Sequence, residues 1–193
     1  TTVTGTSNGR IEIVAAKSLG TSYLAAYQNN TTYGPGEYVD IGVSGSYVVI
    51  VWYDSVNRKL MISYENPSSL SNDKTMATGT LAYSGDWQSN AFAVEDTTGV
   101  GLYVKMAVDP AGGIHLAYYN NNGADLKYAY ISPSDLTSKK VTKVQTVDAY
   151  LSTGARPTID VTRVVDNTVS GGYDYVPYIG YQMNSNLNTT ASA

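Results

Sequence analysis

The chain has 193 residues, room for one sizeable domain or two small ones, and its net charge of −4 offers no basic footprint for nucleic acid or an anionic membrane. Apolar residues make up 42% and charged residues only 15%, which excludes a highly charged disordered tail. Cysteine is absent, so disulfides and cysteine-held metals are excluded, and no apolar run approaches the roughly 20 residues of a membrane helix.

Eighteen tyrosines stand against one phenylalanine. Tyrosine suits half-buried sheet positions, with its ring in the core and its hydroxyl at the wet edge. The chain opens on Thr1 with no signal peptide before it, as expected of a processed or excised piece of a longer product.

Period-two alternation and β-branched or aromatic enrichment predict strands near 10–16, 21–28, 37–44, 46–53, 59–65, 78–84, 103–109, 113–120, 125–131, 140–148, 157–163 and 173–182. Gly-Ser, Gly-Gly and Asn-Gly supply residues that tolerate φ > 0 at the tight turns between them. The best helical candidate is a single turn over Ser132 to Ser138, "SPSDLTS". Segments 65–80 and 84–100 are irregular and rich in Ser, Asn, Asp and Thr, and no Pro- or Gly-rich linker divides the chain into domains.

The chain repeats itself. "YVDIGVSGSYVVIVWYDSVNRKLMISY" (Tyr38 to Tyr64) aligns with "YVKMAVDPAGGIHLAYYNNNGADLKYAY" (Tyr103 to Tyr130). Tyr38 pairs with Tyr103, Val39 with Val104, Ile41 with Met106, Tyr53 with Tyr119, Leu60 with Leu126 and Tyr64 with Tyr130. A third copy starts at Arg156 in "RPTIDV", putting Ile159 and Val161 at the places of Met106 and Val108, and Tyr181 at that of Tyr118 or Tyr119. "NGRIEIVAA" (Asn8 to Ala16) looks like "NGADLKYAY" (Asn122 to Tyr130), a third strand with its turn.

A repeat of about 65 residues with three or four antiparallel strands has the dimensions of a propeller blade. Met106 to Ala129 closely, and Ile41 to Tyr64 loosely, resemble β-propeller repeats of secreted and surface-anchored bacterial proteins, which carry a phrase like "SIAVDSNGNIHIAYYDSSNGDLKYA". Asp-box, Trp-Asp and kelch signatures are missing. The resemblance implies an all-β fold, a single β-propeller or partial propeller over 1–193. Its blades would run approximately 38–100, 101–150 and 156–193 plus 1–30, the last split between the chain ends. Three blades fall short of the usual four to eight, so further copies or further chain would complete the ring. A β-sandwich is the alternative fold.

His115 is the lone histidine and a natural suspect for base or ligand, but its repeat partner is Val49, which marks a structural slot. "NNNGAD" (Asn120 to Asp125) has the oxygen-rich look of a calcium loop without the terminal bidentate Glu, and a hairpin turn accounts for it equally. Asp40, Asp54, Asp109 and Asp160 lie at strand ends, where two carboxylates could hydrolyse a glycoside. Arg156-Pro157 resembles the first arginine of sialidases, without companions. The favoured ligand-contact candidates are Trp52, Tyr53, Trp87, Tyr118, Tyr119, Tyr181 and Arg156, because aromatic faces beside Asn, Asp and Gln suit sugar stacking or protein contact. Blade-to-blade packing is the competing role for the strand aromatics.

These readings lead to an expected function: a non-catalytic extracellular or cell-surface module, with the periplasm as a further compartment, serving surface assembly or adhesion. Its partners would be proteins or further copies that complete the ring, or glycans, with no cofactor, nucleic acid or membrane insertion. A glycan-binding lectin with sites between blades comes second and a glycosidase third.

Overall fold

A computed structural model describes residues 36–66, 90–150 and 153–183. In chain order these form β1 (Gly36–Ser44), β2 (Tyr47–Asp54), β3 (Lys59–Glu65), β4 (Phe92–Ala93), β5 (Val100–Val108), β6 (Ile114–Asn120), β7 (Asp125–Ile131), the short helix α1 (Pro133–Thr137), β8 (Lys143–Asp148), β9 (Thr153–Val165) and β10 (Tyr173–Met183). The fold is all-β and antiparallel. Strands β1-β2-β3-β4 form one four-stranded sheet, β5-β6-β7-β8 a second, and β9 pairs with β10. The expected strands near 10–16, 21–28 and 78–84, and Trp87, lie outside the described residues.

The turns set these registers. Gly45 takes φ 57° in the two-residue turn that pairs Ser44 with Tyr47, a conformation any Cβ would oppose. After β2, Asp54 Oδ1 accepts the Val56 and Asn57 N–H groups at 2.9 and 3.0 Å. Asn120 does the equivalent after β6, taking the Asn122 N–H at 3.1 Å. The oxygens of Asn120 and Asp125, part of the calcium-loop look of this stretch, thus accept hydrogen bonds within the sheet and its turn. Ser132 caps α1 by accepting the Asp135 N–H at 3.2 Å, and Pro133 follows at the position where its missing N–H costs nothing.

The first and second sheets pack face to face. Val49, Val51, Leu60 and Ile62 meet Val104, Ile114, Leu116 and Tyr118 in one core, and each such side chain stabilises by about 1.5–3 kcal/mol. The opposite face of β2 carries a second cluster of Val48, Ile50 and Trp52 with Met61 of β3, so the run "VVIVW" is buried on both sides.

The same contact joins each sheet to the next. β5 lies across β2 and β3, and β9 lies across β6 and β7. A Cβ on Gly101 would stand 2.8 Å from Leu60 Cα; one on Gly154 would stand 2.6 Å from Leu126 Cα. Leu60 and Leu126 are the aligned leucines of the repeat. Only glycine lets the incoming strand sit directly on that rung.

Candidate functional site

The first strands of the three sheets, β1, β5 and β9, share a register break, between Glu37 and Asp40, between Leu102 and Lys105, and opposite Gly180 to Gln182; β5 and β9 each carry a second shift, between Val100 and Leu102 and opposite Gln182 to Met183. At each shared break a non-glycine residue turns left-handed: Tyr38 at φ 55°, Tyr103 at 56° and Arg156 at 52°. A glycine precedes each by two positions (Gly36, Gly101, Gly154). Such bulges re-aim a side chain, and the left-handed conformation costs about 1–3 kcal/mol per non-glycine residue.

The three bulges converge. Tyr38, Val39, Tyr103, Val104, Lys105, Arg156 and Pro157 line one pocket of about 300 Å³. The Tyr38 and Tyr103 rings lie 4.5 Å apart at 54°, and partial burial, then the adjacent Tyr103, pushes the Tyr38 hydroxyl pKa up. Behind them, Tyr53 stands 6.4 Å from Tyr38, and Tyr119 stands 6.4 Å from Tyr103. Lys105 Nζ lies 3.9 Å from Asp40 Oδ2.

The carboxylates weighed for hydrolysis each accept backbone N–H groups. Asp40 accepts the Met106 N–H from the next sheet at 3.0 Å, and Asp160 accepts the N–H of Val161 at 2.8 Å. Asp54 holds its turn. Asp109 Oδ1 accepts the Ala111 and Gly113 N–H groups at 2.7 and 2.9 Å.

Asp109 Oδ2 also meets His115 Nε2 at 3.1 Å, while His115 Nδ1 meets the Tyr128 hydroxyl at 2.7 Å. Both ring nitrogens of His115 therefore have partners within the sheet. His115 and Asp109 are both buried, and burial pushes the Tyr128 hydroxyl pKa up to about 12. This is a closed polar network that pins the β5–β6 turn to the middle of the sheet. A second network joins Tyr118, Glu95 and Lys127: the tyrosine hydroxyl and the ammonium donate to the two oxygens of one carboxylate. Burial, then Glu95, drives the Tyr118 hydroxyl pKa far upward.

Among the sequence candidates, Arg156 lines the pocket and Tyr53 and Tyr119 stand one layer behind it. Trp52 and Tyr118 are not exposed contacts, because each is packed in an apolar cluster. Tyr181 is exposed and donates to Asp148 Oδ2 at 2.7 Å. Reading for ligand contacts passed over Tyr38, Tyr103 and Lys105, although the first two head the repeat alignment. The available signal was Gly-x-Tyr-Val, twice, with Gly-Ala-Arg-Pro at the matching place in the third copy.

Compared with protein-family models, curated proteins and solved structures, the chain matches none.

Proposed function

We propose that the chain forms blades of a β-propeller and acts as a non-catalytic extracellular binding module, with carbohydrate as the ligand of the first-strand pocket. The recurrent packing of one sheet's first strand across the preceding sheet supports the propeller. The observation that carries the binding reading is the convergence of Tyr38, Tyr103 and Arg156 on one pocket whose lining, among the described residues, holds no carboxylate. Tyrosine rings offer an apolar surface to the C–H face of a pyranose, and the polar tips offer hydrogen bonds. Glycoside hydrolysis would need two acids at the bond, and the acids nearby hold turns and strands instead.

Glycan-array binding and calorimetry on the 193-residue chain test this. Tyr103→Ala is expected to weaken glycan binding by about tenfold or more, as loss of a stacked aromatic does. Tyr150→Ala, exposed and away from the pocket, leaves it unchanged. Chromogenic glycosides stay intact with wild type and with Asp109→Asn alike. Undiminished binding by Tyr103→Ala removes the pocket from the reading, and turnover removes the non-catalytic assignment.

Protein contact is a second reading, favoured by the exposed apolar residues Val165, Tyr173 and Tyr178 on the β9–β10 pair. Its partner would be a further copy of the chain, and a native mass above the monomer's, lowered by Tyr178→Ser, would support it.

A further inference from the structure

We infer that the pocket takes a saccharide bearing an anionic oxygen group, a carboxylate or a sulfate, and that Arg156 is the residue that selects it. This rests on the carbohydrate-binding reading and specifies its ligand class.

Charge placement is the first support. The whole chain carries −4, yet the two charged residues in the pocket lining, Lys105 and Arg156, are both cations. A pocket that opposes the sign of its protein raises the local concentration of anions rather than of neutral sugars.

The state of those cations is the second. Among the described residues the other salt-bridging side chains have close acids: Lys59 lies 2.9 Å from Asp96, and Lys127 donates to Glu95. Arg163 lies over the Tyr173 ring at 4.0 Å. Arg156 is exposed and makes no hydrogen bond or ion pair among the described residues. Among the described residues Lys105 has only Asp40 at 3.9 Å, and that carboxylate already accepts the Met106 N–H on Oδ2 and the Ile41 N–H on Oδ1. The pocket therefore holds a planar fork of donors with no acceptor among the described residues, beside an ammonium with donors to spare.

Preorganisation is the third. Arg156 sits at φ 52° in a register break and precedes Pro157, whose ring restricts its neighbour's backbone further. Buried Ala155 and Pro157 flank it. Its backbone is held while its side chain remains free to reach the ligand. A guanidinium fork matches two oxygens of a carboxylate or sulfate with parallel N–H bonds, which an ammonium cannot do. The volume, about 300 Å³, is at the small end for ligand sites and matches a small ligand such as a single sugar ring.

The test uses three disaccharides that differ only in the terminal ring: glucose, glucuronate and 6-sulfated glucose. Binding is measured by calorimetry on wild type, Arg156→Gln, Arg156→Lys and Tyr103→Ala, with melting curves as the folding control. Wild type is expected to favour at least one anionic sugar over glucose by about tenfold, the scale of one charge-assisted bidentate contact. Arg156→Gln removes that preference, and Arg156→Lys recovers only part of it. Preference for glucuronate identifies the carboxylate and preference for the sulfated ring the sulfate; either supports the inference. Equal affinity for all three sugars, lost in Tyr103→Ala, overturns the anionic inference and leaves carbohydrate binding standing. Binding to none of the three and to nothing on the array overturns both.

Discussion

The second sheet and the β9–β10 pair share one register and differ in depth. Lys105 faces Ala117 and Met106 faces Leu116; Thr158 faces Gly180 and Ile159 faces Ile179 in the same places beyond the bulge. That equivalence puts Tyr181 on the rung of Tyr118, and Tyr178 on the rung of His115. Tyr118 is fully buried and Tyr181 is 40% exposed; His115 is 3% exposed and Tyr178 60%. β6 lies between β5 and β7 and packs on the first sheet, whereas β10 pairs, among the described residues, with β9 alone. Burial on these rungs comes from the neighbours a strand acquires, not from its own sequence, and tyrosine serves on both because it tolerates either fate.

The largest break in this comparison should come from the glycines that seat each incoming strand. Gly101→Val and Gly154→Val push a side chain into the Leu60 and Leu126 backbones at φ 111° and 100°, and should cost about 3 kcal/mol or more each in urea unfolding, or abolish folding. Equal losses at both positions would establish that the two inter-sheet joints are one device.

Next come the paired tyrosines. Tyr118→Ala leaves a core cavity and removes the donor to Glu95 Oε1, Lys127 remaining on Oε2, for an expected loss of about 3–5 kcal/mol, while Tyr181→Ala should lose less than about 1 kcal/mol. Similar losses would mean that the β9–β10 pair is covered in solution.

His115→Val copies the residue of the first sheet into the second. It strands Asp109 Oδ2 and the Tyr128 hydroxyl, so about 1–3 kcal/mol should be lost. Adding Tyr128→Phe and Asp109→Ser, the latter copying Ser44, should recover part of it. Full additivity in this cycle would show that the network is not coupled.

The smallest effect is a pH dependence. Tyr128 keeps its proton to about pH 12 in the fold and to about 10 when unfolded, so the native state binds more protons in that window. Its contribution is complete below about pH 10 and disappears as pH rises towards 12, on the order of 1 kcal/mol after allowance for solvent screening. Urea midpoints at pH 8 and 11 should separate more in wild type than in Tyr128→Phe. An identical separation would sink this assignment.

Strands β2, β3, β6 and β7 were readable from sequence to within a residue because alternation and turn chemistry agree there. β5 and β9 begin three and four residues before the expected 103 and 157, since Gly101 and Gly154 look like strand breakers and instead allow a bulged strand to continue. β4 spans only Phe92–Ala93, too short for any periodicity, and falls inside the stretch expected to be irregular. Arg156 was visible as an arginine before proline at a strand start. Tyr38 and Tyr103 served the alignment, but their convergence on one pocket was hidden, because a register break depends on the partner strand and shows in sequence only as the recurring Gly-x-Tyr-Val.

The left-handed residue near the head of each sheet's first strand has a consequence for how the pocket's lining can change. The backbone accepts tyrosine twice and arginine once within 4° of the same φ, so the conformation is set by the scaffold and is indifferent to the side chain. Glycine there would relieve about 1–3 kcal/mol of strain and would empty the pocket of its walls. The position behaves as a socket with exchangeable fittings. One substitution per sheet can change the pocket's lining while the glycine and leucine that join the sheets stay untouched.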